Sequence, residues 1–309
     1  VRDGVIQNSA FLPVLFEARP EDDWRDPEVW AKANPSLGVT IKKDWLEKEC
    51  RRAIEQPSHE NVFRQLYLNQ WTEQASRWLS LAVWDANAAP IERQSLKGRR
   101  CTGALDLAHV SDLSAFVLVF DPVEPGGAYD VLPFFWVPEE NIRVRARKDR
   151  VPYDLWARDG LIRATPGEVT DFDFIREDIF GLLEEFQIAE IAYDPWSAHQ
   201  LVQQLMHEGV PMVEFRQGFR SMSPAAMEVE RLLIGRRLNH GGHPILRWMA
   251  SNVAVQKDPA GNIKPDKASS TERIDGIVAL CMAIGRIAAS VAAGPQESVL
   301  NEQDIVFLS

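Results

Sequence analysis

Cysteine is scarce in this chain: Cys50, Cys101 and Cys281 are the only three in 309 residues, and they stand far apart. So few thiols form neither a disulfide framework nor a four-thiolate zinc site, and an odd number fits a reducing compartment, with cytoplasm the default. No cysteine pair stands at finger spacing beside His240 and His243, so a structural zinc is not expected. Apolar runs read as too short to cross a bilayer, and no membrane span is expected. The first residues, Val1-Arg2-Asp3-Gly4, lack an initiator Met and the charged-then-apolar layout of a secretion signal, so the expectation is a segment of a longer, non-secreted polypeptide. No Gly-x4-Gly-Lys-Ser/Thr string occurs, and ATP hydrolysis by these residues alone is not expected. Positive charge is also short, with Lys and Arg at 34 against Asp and Glu at 45, a net of -11. That balance works against general binding to a phosphate backbone. A protein that works through bound metal ions would nevertheless need clustered carboxylates.

What is present is an ordinary globular composition, 45% apolar and 26% charged, in a chain long enough for one sizeable core and an appended segment. Residues 1–75 read as a short strand in the apolar run Leu12 to Phe16, followed by helices. Asp26-Pro27 sets an N-cap before a helix-starting proline, and Pro35 disfavours helix at Asn34. Lys43 to Glu55 and Glu60 to Leu68 continue this helical arm. From Arg99 the period changes to two: Cys101 to Leu107, Ser114 to Phe120 and Tyr129 to Val137 read as an antiparallel meander, turned at Glu124-Pro125-Gly126-Gly127. An amphipathic helix from Thr170 carries Ile175, Ile179, Leu182, Leu183 and Phe186 on one face. A strand Ile188 to Tyr193, a helix capped at Ser197 and ended by Gly209, and a strand Pro211 to Phe215 follow. Three antiparallel strands, then helix, strand, helix and strand, is the order of an α/β ribonuclease-H-like mixed sheet with helices on both faces. Other mixed α/β arrangements share that periodicity. Helices around Pro224 to Gly235 and Pro244 to Ser251 come next. A hairpin around Asp258 to Gly261 and a final helix from Ser269, with Ser269 and Glu272 as its capping box, complete the unit. The expected divisions are an arm over 1–75, the sheet-bearing unit over 76–290 and a flexible tail over 291–309.

Asp106 and Asp194 each end a strand of small or apolar residues, and open α/β sheets bind ligands beyond the carboxyl ends of their strands. A lone aspartate in such a place more often bonds to its own turn. Asp275, near the start of the last helix, is also favoured there by the helix dipole alone. Should the three converge, they would suit two Mg²⁺ or Mn²⁺ ions, which are hard and prefer oxygen. Lys267 and Arg273 precede Asp275 and are candidate phosphate contacts, against a plain reading as solvated loop cations. The run Arg143, Arg145, Arg147, Lys148 and Arg150 is a candidate DNA-backbone patch or a solvated helix face, and Arg99 and Arg100 are weaker versions of the same idea. His109 stands near Asp106. Trp196, beside Asp194, is the tryptophan that could lie near DNA.

The strings Gly103-Ala104-Leu105-Asp106-Leu107 with Ser111-Asp112-Leu113-Ser114-Ala115, then Tyr193-Asp194-Pro195-Trp196, then Arg273-Ile274-Asp275-Gly276 resemble the nuclease motifs of large terminase subunits of tailed phages. The resemblance extends over residues 11–290. In the arm it includes Asp22-Asp23-Trp24, Trp30 to Gly38 and Leu68-Asn69-Gln70-Trp71. It implies a ribonuclease-H-like endonuclease domain that cuts concatemeric double-stranded DNA during packaging, with two Mg²⁺ or Mn²⁺ ions held by Asp106, Asp194 and Asp275. Asp112 occupies a further acidic position, which would ligate metal directly, hold a ligand through water or only shape the loop. The resemblance also implies an upstream ATPase domain in the same polypeptide, a small terminase subunit and a portal protein as partners, and residence in the host cytoplasm. Two other readings stay open: a non-catalytic DNA-gripping or docking module, and a recombination-type nuclease of the same fold.

Overall fold

The computed structural model describes residues 14–293 other than 20, 56–58, 71–77, 109–111, 143–145, 147–150, 197–198, 259 and 271. The arm contains α1 (Pro27–Ala33), α2 (Lys43–Glu55) and α3 (Glu60–Leu68), but Val14 to Phe16, the described part of the expected strand, form none, the Phe16 carbonyl accepting from the Asn69 side chain rather than from a neighbouring strand. The Asp26 carboxylate accepts the Glu28 N–H and Pro27 opens α1, so the expected start is realised by capping chemistry. Trp30, Leu46, Phe63 and Leu68 pack into a small core of their own. Past α4 (Leu81–Asp85), the main unit adds α5 (Tyr153–Arg158), α6 (Phe172–Glu185), α7 (His199–His207), α8 (Phe219–Ile234), α9 (Pro244–Asn252) and α10 (Asp275–Ala293).

Its strands are β1 (Arg100–Asp106), β2 (Ser114–Phe120), β3 (Tyr129–Pro138), β4 (Arg163–Thr165), β5 (Gln187–Tyr193), β6 (Met212–Glu214) and β7 (Leu238–Asn239). The sheet order is β4-β3-β2-β1-β5-β6, with β7 beside β3. The meander is antiparallel as expected, and β5 and β6 extend the sheet in parallel from β1. β4 and β7, parallel to opposite ends of β3, went unseen in the sequence because two or three residues carry no alternation to read. β8 (Val255–Lys257) and β9 (Ile263–Pro265) form the expected hairpin, turned at Gly261 with a φ of 83°.

Alternate residues of each central strand feed two cores. Leu105, Phe116, Leu118 and Ile191 face α6 and α7, while Ala104, Val117, Val131 and Ala192 face α8, α9 and α10. Both faces are therefore covered. In α10, Ile277, Val278, Leu280, Met282 and Ile284 are buried, each stabilising by roughly 1.5–3 kcal/mol. Their sum far exceeds one ion pair, so the core fixes where this helix begins. Contrary to the sequence-based expectation, one stretch, Asp275–Ala292, is long and apolar enough to cross a membrane, with a mean hydropathy of 1.6. Some 61% of it is buried in the molecule, where α10 packs on β1, β2 and α8 as a core helix.

Three boundaries differ from expectation. α8 begins at Phe219 rather than Pro224, which lies inside it, because the Met222 N–H already bonds the Gly218 carbonyl. The last helix starts at Asp275, because Ser269 donates to Asp266 at 2.6 Å and Ser270 accepts the Ala254 N–H, which makes 266–270 a turn that ties down the hairpin. The same helix runs to Ala293, so the expected tail would begin inside it, and 294–309 lie outside the described residues. Arg143, Arg145, Arg147, Lys148 and Arg150, with His109 and the Ser197 cap, also lie outside them.

Candidate metal centre

β1 and β5 run parallel, with Leu105 paired to Tyr193, so Asp106 and Asp194 are the next residue on each of two neighbouring strands. By strand alternation both follow Ala104 and Ala192 onto the α10 face. Asp106 is 2% exposed, Asp194 and Asp275 8% each. Asp275 opens α10, and directly after it Gly276 lets the helix approach the floor of the site. A Cβ there would lie 2.9 Å from Leu246, Met249 and Phe135.

A cation joins two of these acids. The Lys267 ammonium lies 2.7 Å from Asp106 Oδ2 and 2.7 Å from Asp275 Oδ1, while about half of its side chain, 47%, reaches solvent. Gln217 Nε2 donates to the other Asp106 oxygen, Oδ1, at 3.2 Å, and also touches the Met282 sulfur. Burial raises the Asp275 pKa; Lys267 opposes that and Asp106 reinforces it. For Lys267, burial acts to strip the proton, but Asp106 and Asp275 together outweigh it and its pKa is raised. Asp194 Oδ1 accepts the Trp196 N–H at 3.2 Å, an aspartate turn of the kind its sequence context suggests. Asp112 pairs with Arg273 at 2.8 Å and accepts the Leu113 N–H, which links the loop after β1 to the entrance of α10.

Of the expected three acids, two thus meet at one ammonium and the third stands at the adjacent strand end. Among the described residues no three His, Cys, Asp or Glu side chains are already gathered at metal-holding geometry. The donor set still fits a hard divalent cation. All donors are carboxylate oxygens, and Asp275 Oδ2 is buried with no hydrogen-bond partner. Arg99 and Arg100 belong elsewhere: they pair with Asp130 and Asp121 at the opposite end of β1. His240 is structural, its Nε2 at 2.8 Å from the Trp84 carbonyl and its ring stacked on Trp84. Gln217 was missed in the sequence, although its place just past β6 is where carboxyl-edge sites recruit loop residues.

A mixed sheet of this order, with acids at the carboxyl ends of its adjacent parallel strands and helices on both faces, has the layout of a ribonuclease-H-like nuclease. The family model for the terminase large subunit, endonuclease domain, matches residues 5–291. The chain belongs to that family, whose business is phage DNA packaging. It is 38% identical over 274 residues to the large terminase subunit of Enterobacteria phage HK97, covering 88% of this chain and 53% of that protein. The crystal structure of the HK97 large terminase superposes with a TM-score of 0.63, covering 88% of this chain and 56% of that one. Protein YmfN of Escherichia coli strain K12 is 29% identical over 293 residues, 92% of this chain and 64% of that protein. The chain therefore spans between half and two thirds of the length of these relatives.

Proposed function

We propose that this chain is a divalent-metal-dependent endodeoxyribonuclease that cuts concatemeric double-stranded DNA in a packaging motor, with Asp106, Asp194 and Asp275 holding two Mg²⁺ or Mn²⁺ ions. The observation that carries the reading is the convergence of Asp106 and Asp275 on Lys267, beside the strand end that bears Asp194. When all three acids are ionised, one ammonium offsets only one of three negative charges, and a dication answers the remainder. When bound, the ions supply Lewis acidity, which makes water a nucleophile at neutral pH and stabilises the leaving 3'-oxygen. The protein's own part is to hold its acids in place. Gln217 and Lys267 fix the two oxygens of Asp106, the α10 core fixes Asp275, and the Arg273–Asp112 pair shapes the rim. Lys267 and Arg273 are also the cations placed to meet the phosphate being cut. The products are 3'-hydroxyl and 5'-phosphate ends, with water as nucleophile and no covalent intermediate.

In this reading residues 1–75 are an arm from an upstream ATPase domain, which would hydrolyse the ATP, 76–290 are the nuclease unit and 291–309 a tail. The small terminase subunit and the portal are the motor partners, and the place of action is the host cytoplasm. A non-catalytic DNA-gripping module would display the same Lys267 pairing, so plasmid digestion is paired with calorimetric Mn²⁺ titration. Chelator-sensitive nicking together with saturable Mn²⁺ binding supports hydrolysis. DNA binding without either sinks it.

A further inference from the structure

The chain leaving β6 runs Arg216-Gln217-Gly218-Phe219-Arg220 into α8. Gln217 is tied to the buried Asp106 carboxylate, so the residues on either side of it are held at the rim of the acidic edge. Arg216 and Arg220 are both exposed there. Neither joins an ion pair among the described residues, whereas Arg25, Arg93, Arg99, Arg247 and Arg286 each grip an acid. In a chain with eleven more acids than bases, these two exposed arginines beside the Gln217–Asp106 bond keep their guanidinium groups free of ion pairs among the described residues. A third cation adjoins them. Lys264 of β9 stands 5.2 Å from the centre of the ring of Phe219, which lies between the two arginines in sequence. Gln217, within the segment that carries the two arginines, takes Asp106 Oδ1, and Lys267 takes Oδ2.

Resting on the nuclease reading above, we propose that Arg216, Arg220 and Lys264 form a phosphate-gripping arc that binds the DNA backbone next to the scissile bond. The chemistry suits that partner. Guanidinium forks take phosphate oxygens in pairs, and a lysine on an aromatic ring adds a point charge with a fixed root. Phosphates recur along a strand at about 3.4 Å per residue of axis, so three cations clustered at the rim can serve the groups flanking the one at Asp106. Such contacts carry no base information and set position alone, which leaves the choice of cut site to partners.

The test uses the full 309-residue chain. Binding of labelled duplex DNA is followed in chelator, so that nothing is cut, across a salt titration, for the wild type, R216A/R220A/K264A and a control, Lys97→Ala, just before the amino end of β1. Each lost phosphate contact lowers the slope of log K against log salt by about 0.9, so the triple variant should lose roughly 2–3 units of slope. The KM for plasmid nicking should rise at least tenfold, with kcat and the Mn²⁺ binding isotherm unchanged. An unchanged slope in the triple variant, or an equal loss in Lys97→Ala, overturns the arc. A wild type whose salt slope depends on the arc but which never nicks DNA in Mn²⁺ keeps the arc and rejects the hydrolytic reading.

Discussion

Leu105 on β1 and Tyr193 on β5 are partners in parallel register, and the residue after each is an aspartate. Parallel neighbours lie about 4.8 Å apart, so the backbone by itself sets Asp106 and Asp194 side by side before any side chain chooses a rotamer. Replacing either with Asn keeps shape and removes charge. Nicking in Mn²⁺ should fall by at least about 10²-fold, the scale of losing one contact to transition-state charge, while the unfolding transition stays cooperative. Nicking by Asp194→Asn at the wild-type rate would remove Asp194 from the site.

Lys267 offsets charge that would otherwise be buried. In Lys267→Met, Asp106 and Asp275 lose their shared cation, at 2.7 Å from each. The buried-pair penalty is discounted because half of the lysine side chain is in water, which leaves on the order of 1–2 kcal/mol of lost stability in chelator. Mn²⁺ should raise the melting temperature of this variant more than that of the wild type. Equal melting temperatures in chelator would show that the pair contributes nothing.

Gly276 is a packing requirement of the site. An added methyl would press on Leu246, Met249 and Phe135, and overpacking of this kind costs about 1–3 kcal/mol. Gly276→Ala should therefore lower stability and also weaken Mn²⁺ binding, since Asp275 is the adjoining residue. Calorimetry that shows wild-type Mn²⁺ affinity in a destabilised variant would separate packing from the site.

His243 offers a pH signature. Burial, helped by the neighbouring His240, lowers its pKa from 6.5 to about 4. The folded state thus holds it neutral while the unfolded chain takes up a proton, and stability present above pH 6.5 is lost as pH falls toward about 4. One proton contributes at most about 1.4 kcal/mol per pH unit in that window. His243→Phe should flatten the curve of unfolding free energy against pH by that slope, and equal slopes in urea titrations would contradict it.

Much of the fold was legible because its signals are local. Period-two runs at 101–107, 114–120 and 129–137, the Asp26-Pro27 start and the Gly209 stop all act within a few residues. The start of the last helix was misread because Ser269 and Glu272 mimic a capping box, while Ser269 is drawn to Asp266 by a turn that only the hairpin creates. At the site, Asp106 and Asp194 could be read from strand ends. The bridging by Lys267 and the hold of Gln217 on Asp106 could not, because they depend on how the hairpin and the β6 exit are folded over the sheet edge.

Since Asp275 heads the helix that β1, β2 and α8 clasp, one of the chain's ligating candidates is carried by the least yielding part of the molecule. A screw of that helix by a single position would turn its leading acid through about 100° and drive polar atoms into oil-like surroundings. Heat should therefore end catalysis and structure at one temperature, with no warm interval in which an intact body carries a slack, idle centre.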